Sequence, residues 1–321
     1  MLRRPMARVF VTRSLPGGAL GRLSAAHDTE VWPDRLPPPR DELLAGAGRA
    51  EGMLSLLTDP IDAELIAACP ELRAISNYAV GVDNVDLEAA TGRQIPVGNT
   101  PGVLTESTAD LALALILGIA RLLVEGEAFV RAGKWVTWEP DLLLGRDLHD
   151  STVGIVGLGR IGRAVASRLG GFGCEVLAAR RSGGVALEEL LERSDFVTLH
   201  CPLTPETRGL IGPDALRRMK PTAYLVNTAR GPIVDTDALA AGLHAGEIAG
   251  AALDVTDPEP LPGDHPLLEA PNLLVIPHLG SATHATRERM ADMAVDNLLA
   301  ALAGERMPNC ANPEVYGEAG A

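Results

Sequence analysis

Three ionisable residues, Arg230, Glu259 and His278, each follow a run of apolar residues in the second half of the chain. The guanidinium of an arginine is a planar fork that suits a carboxylate. A histidine can give or take a proton near neutral pH, and a neighbouring glutamate favours its protonated form. Taken singly, each residue has a structural alternative. Arg230 fits a surface ion pair, Glu259 fits a solvated loop acid, and His278 fits a cap at the start of a helix. Together, beside a nucleotide site of the kind that the glycine pattern at residues 157–162 predicts, they suggest proton transfer to a substrate that carries a carboxylate.

The pattern G-x-G-x-x-G lies at residues 157–162, with Gly157, Gly159 and Gly162 as its glycines. It follows the strand-like segment 152–156 and precedes a helix-like segment, which is the context in which this turn binds a dinucleotide pyrophosphate. A structural glycine turn is the alternative. All six residues are candidate cofactor contacts: Gly157, Leu158, Gly159, Arg160, Ile161 and Gly162.

The next predicted strand ends in Arg180, Arg181 and Ser182. A site that prefers NAD carries an acidic residue about 20 residues after the turn, where it binds the ribose 2′-hydroxyl. Arg180 occupies that position, and guanidinium groups would instead bind a 2′-phosphate. We therefore expect NADPH as the preferred cofactor, with NADH possible. Two solvated arginines at a strand end are the alternative.

Composition excludes several other classes of protein. The 28 basic and 42 acidic residues give a net charge of −14, which disfavours nucleic-acid and membrane partners. The four cysteines form no CxxC pair and the seven histidines show no metal-ligand spacing, so we expect no metal and a reducing compartment, the cytoplasm. We expect no signal peptide, because no apolar segment follows the basic N-terminus.

Short apolar runs alternate with helix-length segments, which predicts an α/β protein with parallel sheets. A single helix is expected from a cap at Ser107 to about Ala132, buried between domains or subunits because it is apolar nearly all round. Trp135 and Trp138 follow it in a loop, which suggests an interface or the wall of a pocket. The predicted strands are 7–12, 52–57, 72–76, 152–156, 175–179, 196–199, 224–227, 250–255 and 273–276.

We expect two Rossmann-like, doubly wound parallel-sheet domains with a cleft between them. The first is a flavodoxin-like substrate domain, residues 1–100 plus 287–321, completed by a C-terminal helix. The second is a dinucleotide-binding Rossmann domain, residues 101–286.

From about residue 7 to residue 308 the chain resembles the D-isomer-specific 2-hydroxyacid dehydrogenases. Beside the motifs above, the segments that carry the resemblance are 77–86 (NYAVGVDNVD), 99–105 (NTPGVLT), 135–140 (WVTWEP) and 254–268 (DVTDPEPLPGDHPLL). Within the family the chain is most similar to the glyoxylate/hydroxypyruvate reductases. The resemblance implies NADPH-dependent reduction of a small 2-oxo acid to a D-2-hydroxy acid, glycolate or D-glycerate, with His278 as general acid.

The resemblance also assigns residues to roles. Arg230, Glu259 and His278 match the catalytic trio. The expected substrate contacts are Val80, Gly81, Arg230, Trp138 and Ser281. The expected further cofactor contacts are Thr105, Pro202, Thr207, Thr228, Asp254, His278 and Gly280. A homodimer through the nucleotide-binding domains is implied, with Trp138 reaching the partner's active site.

One departure from the family is the short segment between Ser182 and Ala186. We expect part of the wall beside the adenine to be missing there, with an effect on the affinity for the cofactor. Other readings stay open. A phosphoglycerate dehydrogenase is disfavoured by the missing acid at Arg180, and a formate dehydrogenase because Glu259 stands where that enzyme has glutamine. A nucleotide-sensing co-repressor would keep the fold without turnover.

Overall fold

The computed structural model describes residues 6–180 and 183–317. The chain divides into two compact units: one takes the chain up to Leu104 and from Thr283 onward, and the other is Thr105–Ala282. Each unit is built on a parallel sheet with helices on both faces, which confirms the predicted α/β fold class.

The sheet of the first unit has the strand order β2-β1-β3-β4-β5, a flavodoxin-like order. Its strands are β1 (Arg8–Val11), β2 (Asp28–Val31), β3 (Gly52–Ser55), β4 (Ala74–Asn77) and β5 (Val97–Gly98). Sequence predicted β1, β3 and β4 but missed the other two. The edge strand β2 is half-exposed and carries two acids, and β5 has only two residues, so neither shows a clear apolar run.

Helices cover both faces of this sheet. They are α1 (Ala19–Ala26), α2 (Arg40–Gly48), α3 (Ala63–Ala68), α4 (Leu87–Gly92) and, last in the chain, α11 (His284–Leu302). The last helix packs against α1, β3 and β4, so the C-terminal segment completes the core of the first unit. Its contact with the sheet is close: a Cβ on Gly52 would lie 3.0 Å from Leu302 Cδ1.

The sheet of the second unit has the order β11-β10-β9-β8-β6-β7. Its strands are β6 (Thr152–Val156), β7 (Glu175–Ala179), β8 (Phe196–Leu199), β9 (Tyr224–Asn227), β10 (Gly250–Leu253) and β11 (Leu273–Val275). All six were predicted, the last two ending slightly earlier than expected. The chain leaves β6 for β7 on one side and then returns to β8 on the other. The carboxyl ends of β6 and β8 therefore form the switch point at which open α/β sheets bind ligands.

Among the described residues one strand, β7, lies beyond β6, where the Rossmann order has two. The short segment noted in the sequence follows β7. Its described residues turn back on the strand, with the Val185 N–H donating to the Ala178 carbonyl at 3.0 Å. Arg181 and Ser182 lie outside the described residues.

The predicted single helix over 107–132 is wrong: two helices form, α5 (Thr105–Ala120) and α6 (Leu123–Arg131), with a bend of 61°. Leu122 takes a positive φ of 51° at the break. The Ala120 carbonyl accepts the Arg146 N–H at 2.7 Å, so a loop amide replaces the next helical donor. Ser107 lies inside α5 and does not cap it.

The apolar α5 was expected between domains or subunits, but it is buried inside the second unit. It packs on α7 (Arg160–Leu169), β9 and β10, and its side chains join one of the two cores that line the sheet. The other helices of this unit are α8 (Leu187–Arg193), α9 (Pro213–Arg218) and α10 (Thr236–Ala245). Within residues 6–180 and 183–317, no single helix is long and apolar enough to cross a membrane. The bent pair of α5 and α6 reaches that length and composition when the two helices are taken together.

Candidate active site

His278 lies in a sharp turn two residues beyond Ile276, where the chain leaves β11. Its φ is +53°, a conformation that is uncommon for a residue with a side chain. Asp254, which follows the neighbouring strand β10, holds this turn: its carbonyl accepts the His278 N–H at 2.8 Å. The two carboxylate oxygens of Asp254 accept the N–H groups of Leu279 at 2.5 Å and Gly280 at 2.9 Å. Three successive amides thus bind one residue.

Asp254 is almost fully buried. Burial raises the pKa of its carboxyl group, while the N–H groups of Leu279 and Gly280 and the charge of His278 lower it. Space beside the carboxylate is limited, since a Cβ on Gly280 would lie 3.1 Å from Asp254 Oδ2. A side chain at residue 280 would therefore require the carboxylate to shift by a few tenths of an ångström.

Glu259 and His278 are in direct contact. Glu259 Oε1 and His278 Nδ1 are 2.6 Å apart, a length typical of a charge-assisted hydrogen bond. Their side chains are 31% and 26% exposed, so the pair is partly shielded and still reachable from solvent. Nδ1 is thus the ring nitrogen that contacts the carboxylate, and Nε2 lies on the opposite side of the imidazole.

Arg230 follows β9, the strand next to β10, and immediately precedes Gly231. A Cβ on Gly231 would lie 1.9 Å from the Thr256 carbonyl, so the Arg230 loop packs against the loop that leads to Glu259. The Thr256 N–H in turn contacts Glu259 Oε2 at 3.4 Å. Arg230 Nη1 donates to the Ala229 carbonyl at 2.9 Å. Arg230, Glu259 and His278 follow β9, β10 and β11, which are neighbouring strands of one sheet.

The glycine turn occupies the switch point. Gly157 has a φ of +96°, and a Cβ there would lie 2.5 Å from Cys201 N, beyond the end of β8. A Cβ on Gly162 would lie 2.2 Å from the Gly157 carbonyl oxygen, so helix and turn are in close contact. Gly159 is different: it is the N-cap of α7, and a Cβ on it would meet no atom within 4 Å. An open face at a helix N-terminus fits a phosphate group.

His200, which the sequence analysis did not select, follows β8 at the same edge. Its ring nitrogens contact the hydroxyls of Thr198 at 3.0 Å and Thr228 at 3.3 Å. Burial lowers the pKa of His200 to about 4, so the ring is neutral at physiological pH. Thr228, a predicted cofactor contact, is thereby placed beside a neutral imidazole.

The remaining predicted residues of the second unit are distributed as follows. Thr207 closes a turn, its hydroxyl donating to the Pro202 carbonyl at 2.7 Å. Thr105 begins α5, and Ser281 is buried directly after Gly280. Arg180 is exposed at the end of β7. Trp138 is 78% exposed in the loop after α6.

Val80 and Gly81 belong to the first unit, in the loop after β4. The Val80 carbonyl accepts from Asn99 Nδ2 at 2.8 Å, and the Gly81 carbonyl from Asn77 Nδ2 at 3.0 Å. In the part of the chain that the structure describes, no group of three His, Cys, Asp or Glu side chains could hold a metal ion.

Comparison with known proteins agrees with this geometry. Residues 113–280 match the family model described as D-isomer specific 2-hydroxyacid dehydrogenase, NAD binding domain. A glyoxylate reductase of Korarchaeum cryptofilum is 50% identical over 320 residues, 96% of either chain. The chain belongs to the D-isomer specific 2-hydroxyacid dehydrogenases. It is therefore an NAD(P)-dependent oxidoreductase, and the glycine turn lies in its nicotinamide-cofactor domain.

Solved structures support the same family at the level of fold. A Thermus thermophilus protein has a TM-score of 0.91 and 52% identity, covering 95% of this chain and 99% of its own. An NADPH-dependent glyoxylate/hydroxypyruvate reductase of Sinorhizobium meliloti, in complex with NADP and malonate, has a TM-score of 0.82 and 34% identity, covering 95% and 97%.

The structure also gives Asp254 a function that sequence reasoning missed. The resemblance assigned this residue to the cofactor, a contact that stays a prediction, and the geometry shows that it holds the turn of His278. A buried aspartate that accepts amides 25 and 26 residues further along the chain leaves no local sequence signal.

Replacement of Gly159 by alanine tests the cofactor cradle. Because the added methyl group meets no protein atom, we expect unchanged thermal stability. The methyl group would obstruct the pyrophosphate, so the Kd for NADPH should rise at least about tenfold, or 1.4 kcal/mol. NADPH fluorescence titration measures this. Gly171→Ala is the control, because a Cβ there also meets no atom within 4 Å. Equal affinity for NADPH in both variants would show that the pyrophosphate does not bind against Gly159.

Proposed function

We propose that this protein reduces 2-oxo acids of the glyoxylate and hydroxypyruvate type to D-2-hydroxy acids, glycolate and D-glycerate, with NADPH as the electron donor. The observation that carries the proposal is the 2.6 Å contact between Glu259 and His278, beyond the carboxyl ends of two neighbouring strands. The names of the relatives, glyoxylate reductase and glyoxylate/hydroxypyruvate reductase, support the substrate class.

In this proposal His278 is the general acid. A nicotinamide held by the second unit would supply the hydride for the carbonyl carbon of the substrate. Negative charge then develops on the carbonyl oxygen, and Nε2 of protonated His278 delivers a proton to it. The Glu259 carboxylate stabilises the imidazolium and fixes its orientation through Nδ1. Asp254 contributes by holding the turn that presents the ring.

Arg230 binds the substrate in the same proposal. Its guanidinium is suited to a carboxylate and would polarise the adjacent carbonyl group. The amides of Val80 and Gly81 in the first unit are proposed as further donors to the carboxylate. Ser281 and Trp138 are proposed to contact the substrate, Trp138 from a partner subunit. The first unit would thus be the substrate domain and the second the cofactor domain.

The cofactor would lie along the switch-point edge of the second unit. The residues proposed to contact it are Thr105, Gly157, Leu158, Gly159, Arg160, Ile161, Gly162, Arg180, Arg181, Ser182, Pro202, Thr207, Thr228, Asp254, His278 and Gly280. Arg180 supports the preference for NADPH, because it is exposed where an NAD site would carry an acid. The Sinorhizobium meliloti relative was crystallised with NADP.

We also propose a homodimer and a cytoplasmic location. Exposed apolar side chains gather on α6 and the loop after it, a surface that a partner subunit would cover: Leu123, Val124, Val130, Trp135, Val136, Trp138 and Leu144. All four cysteines are free thiols, in keeping with a reducing compartment.

Replacement of His278 by alanine should lower kcat for glyoxylate by about two to four powers of ten, the usual contribution of a positioned acid. The assay follows NADPH oxidation by absorbance with glyoxylate and with hydroxypyruvate. NADPH binding in a fluorescence titration shows that the variant is folded. His149→Ala, which removes an exposed histidine, is the control. Turnover of the His278 variant at the wild-type rate would exclude the assigned role, and a wild-type protein that binds NADPH without oxidising it would contradict the whole proposal.

Replacement of both Arg180 and Arg181 by alanine tests the cofactor preference. The ratio of kcat/KM with NADPH to kcat/KM with NADH should fall about tenfold to a hundredfold, the expected loss for charge-assisted hydrogen bonds to a 2′-phosphate. Arg217→Ala, on the exposed side of α9, should leave the ratio unchanged. An unaltered ratio in the double variant would mean that other groups select the cofactor.

A further inference from the structure

The loop that follows β4 has three successive carbonyl groups held by donors of the first unit. The Ala79 carbonyl accepts the Thr100 N–H at 2.8 Å. The Val80 carbonyl accepts from Asn99 Nδ2 at 2.8 Å, and the Gly81 carbonyl from Asn77 Nδ2 at 3.0 Å. The loop is therefore fixed through its acceptors, two of them by asparagine side chains.

These contacts determine where the amide N–H groups point. In a trans peptide the carbonyl of one residue and the N–H of the next point in opposite directions. The hydrogen bond from Asn99 to the Val80 carbonyl therefore turns the Gly81 N–H away from Asn99. In the same way, the bond from Thr100 to the Ala79 carbonyl turns the Val80 N–H away from Thr100. Within residues 6–180 and 183–317, neither N–H finds an acceptor. Two adjacent amides left in this way form a site for an anion.

Asn77 and Asn99 differ in how they are supported. Asn77 is fully buried and accepts from Ser55 Oγ at 3.1 Å, while its Nδ2 also donates to Asn84 Oδ1 at 2.9 Å. Asn84 Nδ2 in turn holds the carbonyls of Leu56 and Asp59 at 3.0 and 2.9 Å. Substitution of Asn77 or Asn84 would therefore disturb the loops after both β3 and β4.

Asn99 is a simpler case. It follows β5, is half-buried, and the described bond of its side chain is the one to Val80. Its own carbonyl is held by Asn297 Nδ2 of α11 at 2.9 Å, so the backbone at residue 99 stays anchored when the side chain is changed. Asn99 is thus the position at which the orientation of the Gly81 amide can be changed with least effect on the rest of the unit.

We propose that Asn99 is a positioning residue for substrate binding: by holding the Val80 carbonyl, it directs the Gly81 N–H toward the carboxylate of a 2-oxo acid. This inference rests on the proposed function, in which the amides of Val80 and Gly81 bind that carboxylate. Asn99 does not touch the substrate. Its effect passes through a single peptide plane and concerns binding, not hydride or proton transfer.

Asn99→Asp is the direct test. A carboxylate of the same shape cannot donate to the Val80 carbonyl and repels it, so the peptide is released. Loss of a hydrogen bond to a charged group predicts a KM for glyoxylate about tenfold to a hundredfold higher. Because the acid and the hydride donor are untouched, kcat should stay within about threefold. Asn99→Ala removes the donor without adding charge and should change KM in the same direction.

Asn272→Asp is the matched control. Asn272 Nδ2 also donates to a backbone carbonyl, that of Ala249 at 2.9 Å, but on the exposed surface of the second unit. The Asn272→Asp variant should have the KM and kcat of the wild-type protein. The Kd for NADPH should be the same in all variants, and circular dichroism identifies any that fail to fold. If Asn99→Asp does not fold, the KM of Asn99→Ala decides.

The outcomes separate the two proposals. Wild-type turnover of glyoxylate with KM unchanged in folded Asn99 variants overturns the positioning role alone. A fall in kcat with KM constant also overturns it, because the defect would then lie in the chemical step. A wild-type protein that does not reduce glyoxylate overturns the proposed function itself.

Discussion

The contact between Glu259 and His278 depends on a strained turn held by a buried carboxylate. A positive φ at a histidine costs of the order of 1 kcal/mol and persists only where the surroundings enforce it. Here Asp254 enforces it by binding the amides of residues 278, 279 and 280. Since β10 and β11 are adjacent and parallel, Asp254 lies at the level where the chain leaves β11. These three hydrogen bonds to Asp254 fix the backbone that holds the imidazole ring against Glu259.

The same principle operates in both units: polar side chains at the carboxyl ends of strands orient the backbone of a neighbouring loop. In the second unit an aspartate accepts amides and thereby fixes a side chain, His278. In the first unit asparagines donate to carbonyls and thereby fix the peptide planes of the loop after β4. Burial of Asp254 raises the pKa of its carboxyl, so the N–H groups it binds are needed to offset the cost of the buried charge.

Much of the fold was predictable because parallel strands are short apolar runs, and all six strands of the second unit show them. The strands that escaped, β2 and β5, bury too little to leave a pattern. The break at Leu122 escaped because its cause, the Arg146 amide at the Ala120 carbonyl, is distant in sequence. For the site, residue types and motifs indicated Glu259 and His278, and the structure brings these two together. The roles of Asp254 and Asn99 follow from tertiary hydrogen bonds that no local spacing encodes.

The most direct measurement is kcat for glyoxylate reduction in Glu259→Gln beside wild type, with NADPH oxidation followed by absorbance. Glutamine keeps the shape of the side chain but removes the charge that faces His278 Nδ1 at 2.6 Å. We expect kcat to fall at least about tenfold, because the imidazole ring loses the charge-assisted hydrogen bond that orients it as the proton donor. A kcat equal to that of wild type would contradict the account, because the carboxylate would then contribute nothing to proton transfer by His278.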